Sequence, residues 1–90
     1  MTRKIAIVTG SSKGIGKAIA LVFANSKQYS GIVINARKIK VAQVVADQIK
    51  SLGCDSIAIE ADISKEIDCV RLIEQIVKQY GGIDVLVNFD

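Results

Sequence analysis

The stretch "IAIVTGSSKGIGKAIALVF", residues 5–23, passes from an unbroken apolar run through a glycine-rich crease into a helical pattern. Ile5 to Val8, bounded by Lys4 and Thr9, is short and continuously apolar, the mark of a strand buried on both faces. From Ile15 the positions Ile15, Ala18, Ile19, Val22 and Phe23 follow the i, i+3, i+4, i+7, i+8 template of an amphipathic helix, which is expected to end near Asn25 with those residues on its apolar face. Between them, "TGSSKGIG" (residues 9–16) places three glycines, two serines and a lysine where strand becomes helix.

The same alternation continues to the end of the chain. "GIVINA" (Gly31–Ala36) reads as a second strand, and Val41, Val44, Val45, Ile49 and Leu52 mark a second helix that Gly53 terminates. Ser56 to Ala61 is a third strand; Ser64 is a candidate N-cap with Glu66 in the first helical turn, and Val70, Ile73, Ile76, Val77 and Tyr80 outline the apolar face of a third helix stopped by Gly81 and Gly82. "IDVLVN" (residues 83–88) closes the series as a fourth strand. The order β-α-β-α-β-α-β, without proline, repeats or a linker, requires parallel strands joined by right-handed crossovers. The fold class is therefore α/β, a Rossmann-type doubly wound parallel sheet of four strands and three helices forming one domain over residues 1–90.

In such a sheet ligands bind beyond the carboxyl ends of the strands, and the first strand-to-helix turn lies at the switch point. Gly10 allows the sharp turn, Gly14 lets the backbone approach a pyrophosphate, and Gly16 permits close packing of helix on sheet. The free N–H groups of the first helix then face phosphate charge. The spacing is G-x-x-x-G-x-G; Ala18 after Gly16-Lys17 excludes a triphosphate P-loop. A tight turn without a ligand is the alternative reading of these residues.

Composition bounds the remaining possibilities. The 90 residues are 50% hydrophobic and hold two cysteines, Cys54 and Cys69, and no histidine, so neither a disulfide framework nor a zinc site is supported. No apolar run reaches the length of a membrane span and no signal-peptide core follows "MTRK", so a cytoplasmic location is expected. The net charge of +3 is unevenly divided: residues 1–46 carry eight Lys and Arg and no acid, residues 47–90 four basic residues against nine acids. A phosphate-bearing ligand is drawn to the first half. With only Phe23, Tyr29, Tyr80 and Phe89 as aromatics, a stacking surface for nucleic acid is not expected.

"VTGSSKGIGKAIA" (residues 8–20) resembles the cofactor loop of the classical short-chain dehydrogenase/reductase family, T-G-x-x-x-G-x-G. Asp62 in "ADIS" is similar to that family's acid after the third strand, which contacts adenine, and Asn88 in "VLVN" to the first Asn of its N-N-A-G motif. The loop and "ADIS" together are similar to those of 3-oxoacyl-[acyl-carrier-protein] reductases. The resemblance implies an NAD(P)-dependent oxidoreductase, with cofactor contacts from Gly10, Ser12, Lys13, Gly14, Ile15, Gly16, Arg37, Asp62, Ile63 and Asn88. Ile15 reads equally well as packing surface of the helix.

The end of the second strand addresses which dinucleotide is bound. NAD-binding folds place an acid about 20 residues after the glycines to bond the ribose 2′-OH, whereas NADP-binding ones place a basic residue there. Here Ala36 is followed by Arg37 and Lys38, and Lys13 adds a cation in the loop, which favours NADP(H) over NAD(H). A solvated basic loop of Arg37, Lys38 and Lys40 is the alternative.

The resemblance also implies a catalytic Ser and a Tyr-x-x-x-Lys pair, with Tyr as acid or base. Tyr29 is followed at four residues by Val33 and Tyr80 by Asp84, so no catalytic residue is assigned in this chain. After Asn88 the family pattern continues Asn-Ala-Gly, where this sequence has Phe89 and Asp90. These departures lead us to expect the N-terminal part of a longer dehydrogenase, truncated before its chemistry. They also lead us to expect self-association through an exposed fourth strand. A non-catalytic nucleotide-binding module or an inactive remnant is the alternative.

Overall fold

The computed structural model describes residues 4–10 and 14–88. The elements run β1 (Ile5–Val8), α1 (Gly14–Asn25), β2 (Gly31–Ala36), α2 (Ile39–Ser51), β3 (Asp55–Glu60), α3 (Glu66–Tyr80) and β4 (Val85–Val87). All strand pairs are parallel, and the sheet order is β3-β2-β1-β4. The chain winds outward from β1 through β2 to β3, then returns to the other side of β1 as β4, which makes the carboxyl end of β1 the switch point. Val8 is in register with both Ile34 and Val87, and Ala36 with Glu60, so the strand ends that carry Thr9, Arg37, Asp62 and Asn88 share one edge of the sheet.

Helices on both faces explain the unbroken apolar strands. Helices α1 and α2 bury Ala20, Ala24, Ala42, Val45, Ala46 and Ile49 against Val8, Ile32 and Ile34. On the opposite face α3 buries Leu72, Ile76 and Tyr80 against Ile5, Ile7, Val33 and Ile59. Ile7, Ile32, Val33 and Ile34 are wholly removed from water, each worth roughly 1.5–3 kcal/mol relative to exposure. Two polar side chains are also fully enclosed and both are satisfied: Ser56 Oγ donates to the Ile32 carbonyl at 2.6 Å, and the Asn35 amide to carbonyls of the next strand.

The element order and types agree with the sequence reading, but the helix faces are rotated. Ile15 and Val22, expected on the apolar face of α1, are 69% and 64% exposed, and the buried residues are Gly16, Ala20 and Ala24. Small side chains at i, i+4 and i+8 let the helix axis approach the sheet closely, and the larger side chains turn outward. In α2, Val41 and Val44 face solvent while Val45 and Ile49 are buried and Leu52 is partly so. In α3, Ile76 and Tyr80 are buried together with Leu72, whereas Val70, Ile73 and Val77 are exposed. The reason lies in placement: α3 packs over β1, β2 and β3, and its flanking stripe has no layer above it among the described residues.

Ser64 does not cap α3. The helix starts at Glu66 after an extended Lys65, and the Ser64 hydroxyl donates to Asp62 Oδ1 at 2.6 Å instead. Glu66 and Asp68 do occupy the first turn, as the helix dipole favours. Gly53 and Gly81 stand where the second and third helices stop, each donating its N–H back to the last turn, to Lys50 and Val77 respectively. Strand β3 spans Asp55–Glu60 rather than residues 56–61.

Candidate functional site

The β1–α1 crease is built by two backbone conformations that L side chains rarely adopt. Gly10 has φ 59° and Gly14 φ 64°. A Cβ on Gly14 would meet nothing within 4 Å, so it is the backbone conformation, and not crowding within the protein, that calls for glycine here. No acid lies in the first turn of α1 to neutralise its positive end. Gly16 is buried in the first turn of α1, and Ile15 before it is exposed. Ser12 and Lys13 lie outside the described residues.

Opposite the crease, Asn88 follows β4. Thr9 is 4% exposed; its N–H donates to the Val87 carbonyl at 2.9 Å and its hydroxyl to Asn88 Oδ1 at 2.6 Å, which fixes the Asn88 carboxamide at the mouth of the switch point. Asn35, buried at the end of β2, donates its amide to the carbonyls of Ile59 (3.2 Å) and Ala61 (3.3 Å) and so carries the path of β3 into the loop that holds Asp62.

That loop is tied at several points. Asp62 Oδ1 accepts from the Ser64 N–H at 3.0 Å and from its hydroxyl, and the Asp62 N–H donates to Asp68 Oδ2 at 2.9 Å. The Cys69 thiol donates to the Ile63 carbonyl at 3.2 Å. The two hydrogen bonds from Ser64, aided by the Arg37 and Lys65 charges, hold the Asp62 carboxyl below its ordinary pKa. The Asp62 N–H and the Arg71 guanidinium do the same for Asp68. Arg37 Nε lies 3.9 Å from Asp62 Oδ1, and its side chain is 80% exposed.

These strand ends border a cleft of about 490 Å³. Its lining carries Gly10, Arg37, Ile63 and Asn88, with the buried Ile7 and Leu72 forming an apolar floor and the exposed Leu86 beside them. Of the residues expected at the site, the structure therefore gathers Gly10, Arg37, Ile63 and Asn88 around one hollow and sets Asp62 beside Arg37. Gly14 and Gly16 shape the helix entrance, and Ile15 is left outside the lining.

Thr9, Asn35 and Asp68 were not singled out from the sequence, yet they position the groups that were. Asn35 did carry a signal, a lone amide inside a strand otherwise buried on both faces. Among the described residues there is no cluster of three or more metal-ligating side chains, and no helix is long and apolar enough to cross a membrane.

The family model for short chain dehydrogenases matches residues 4–89. The chain is 41% identical over 85 residues to the 3-oxoacyl-[acyl-carrier-protein] reductase FabG of Staphylococcus epidermidis, covering 94% of this chain and 34% of that protein. Its fold superimposes on a hydroxysteroid dehydrogenase from Escherichia coli with a TM-score of 0.88 at 35% identity, covering 94% of this chain and 35% of the other. An alcohol dehydrogenase from Thermococcus sibiricus, solved with 5-hydroxy-NADP, gives 0.86 at 27% identity, covering 94% and 36% respectively. The chain thus spans about a third of the length of the curated relatives it matches. With a family model matched over nearly its whole length, the chain belongs to the short-chain dehydrogenase family.

Proposed function

We propose that residues 1–90 are the dinucleotide-binding part of an NADP(H)-dependent oxidoreductase acting on a carbonyl or alcohol. The observation that carries this reading is the position of Arg37, exposed on the rim of the switch-point cleft where an NAD-binding fold would hold an acid. The residues fit the group. Gly10 and Gly14 hold the open crease, the acid-free start of α1 offers backbone N–H donors to a pyrophosphate, and a cleft of about 490 Å³ with an apolar floor suits an adenosine. The Arg37 guanidinium would receive the 2′-phosphate, with Lys13 as a second cation, while Asp62 and Ile63 would contact the adenine and Asn88 would add an amide from the end of β4.

When bound, the nicotinamide supplies or accepts the hydride. In this chain the residues bind and orient the cofactor. Neither tyrosine reaches the site: Tyr80 donates to Asp55 Oδ2 at 3.0 Å and packs over Gly31, at the amino ends of β3 and β2, and Tyr29 stacks on Phe23. That observation favours a second reading, a nucleotide-binding module with no turnover of its own.

Titration of the isotope-labelled chain with NADP⁺ and separately with NAD⁺, followed by amide NMR, tests the proposal. Shifts at Gly14, Gly16 and Arg37 that saturate at lower NADP⁺ than NAD⁺ concentration are expected. Arg37→Asp should weaken NADP⁺ by about tenfold or more and NAD⁺ by less than about twofold. Equal affinity of parent and variant for NADP⁺ overturns the reading. Oxidation of NADPH by this chain alone with a ketone panel would overturn the module version.

A further inference from the structure

Glu60, the last residue of β3, stands in register with Ala36, one position before Arg37. Its Oε2 accepts the backbone N–H of Ile39, the first residue of α2, at 3.0 Å. Glu60 thereby caps helix α2 from outside, where its own N-cap residue Lys38 makes no side-chain cap and its first turn holds no acid. The basic turn 37–40 is therefore not purely basic: a carboxylate reaches across from the neighbouring strand and sits on the N–H that follows Arg37 and Lys38. Among the described residues Glu60 forms no ion pair with Arg37, which lies beside Asp62 instead. Lys38, Lys40 and Glu60 line a second hollow of about 510 Å³ at this turn, and Glu60 is exposed there.

We infer that Glu60 sets how strongly this site discriminates a 2′-phosphorylated ribose from a free one, by seating a negative charge on the α2 N–H next to Arg37. The inference rests on the NADP(H) reading and deepens it. A 2′-phosphate brought to Arg37 would feel the Glu60 charge held two residues further along the chain and would compete with it for the Ile39 N–H, whereas a 2′-hydroxyl would do neither. Glu60 thus reduces the advantage that Arg37 and Lys38 confer, and the chain holds a weaker NADP preference than its basic turn alone would produce.

The test uses the smallest probes that differ in this group, 2′,5′-ADP and 5′-AMP, titrated into the full chain and into Glu60→Gln. Gln keeps an acceptor for the Ile39 N–H and removes the charge, and dispersed amide peaks verify that both proteins are folded. Expected is a tightening of 2′,5′-ADP by about fivefold with 5′-AMP unchanged within about twofold, the gain shrinking in 0.5 M salt. Glu60→Ala, which also removes the cap, should show faster amide exchange at Ile39 and a smaller gain. If the parent binds the two probes equally, the NADP(H) reading falls. If the parent prefers 2′,5′-ADP and Glu60→Gln prefers it no more strongly, or weakens both probes alike, the Glu60 inference alone falls.

Discussion

Thr9 and Asn88 lie 79 positions apart in sequence, and the Thr9 hydroxyl donates to Asn88 Oδ1 at 2.6 Å across the carboxyl ends of β1 and β4. One hydrogen bond thereby joins the glycine crease to the amide on the far side of the cleft. Thr9→Val keeps the shape and removes the donor. Stability should fall by about 1 kcal/mol, read as a lower urea midpoint with unchanged slope. The Asn88 side-chain amide resonances should move at the same time. An unchanged Asn88 would mean that the carboxamide is held by other contacts.

Gly14 and Gly31 test two different reasons for glycine. Gly14→Ala places its Cβ in open space but at φ 64°, so the fold should survive with a loss of roughly 1–2 kcal/mol. Gly31→Ala would put a Cβ 3.0 Å from the Tyr80 ring and 3.2 Å from Ile5 Cδ1, an overpacking cost of roughly 1–3 kcal/mol. If Gly14→Ala remains folded yet loses dinucleotide shifts while Gly31→Ala remains able to bind, the crease is a ligand surface and the β2 start is a packing site. The opposite pattern would count against the site.

The Asp62–Asp68 pair makes the loop sensitive to acid. Both carboxyls are held below their ordinary pKa in the folded chain, by Ser64 on one side and by the Asp62 N–H on the other. A depressed folded pKa contributes stability that is fully present above the unfolded value, about 3.9, and is lost as pH falls through the folded value. Thermal melts of the parent and Asp68→Asn should therefore differ near pH 6 and converge as pH drops below about 4. A gap of constant size down to pH 2 would show that Asp68 acts through shape alone.

Leu86 is 61% exposed on β4, which is hydrogen-bonded to a neighbouring strand only on its β1 side among the described residues. Ile73 and Val77 of α3 are exposed as well. We expect concentration-dependent self-association through this edge and its apolar surroundings. Leu86→Lys should shift sedimentation velocity profiles toward monomer while changing stability by less than about 0.5 kcal/mol. Identical profiles for parent and variant would remove β4 as the contact.

The alternation of short apolar runs with helical periods was enough to determine seven elements, their order and a parallel doubly wound sheet, because crossover chirality leaves few ways to connect such a series. The glycine spacing, "ADIS" and "VLVN" likewise named the strand ends that form the cleft, since those signals are local. Which face each helix buries was decided only in the tertiary structure. In α1 the apolar period fits Ile15 and Val22 as well as it fits Ala20 and Ala24, and only the close approach of helix to sheet selects the small residues. The same holds for the polar contacts. Thr9 with Asn88, Asn35 with the end of β3, and Glu60 with Ile39 join residues far apart in the chain, and parallel register alone brings their donors within reach of their acceptors.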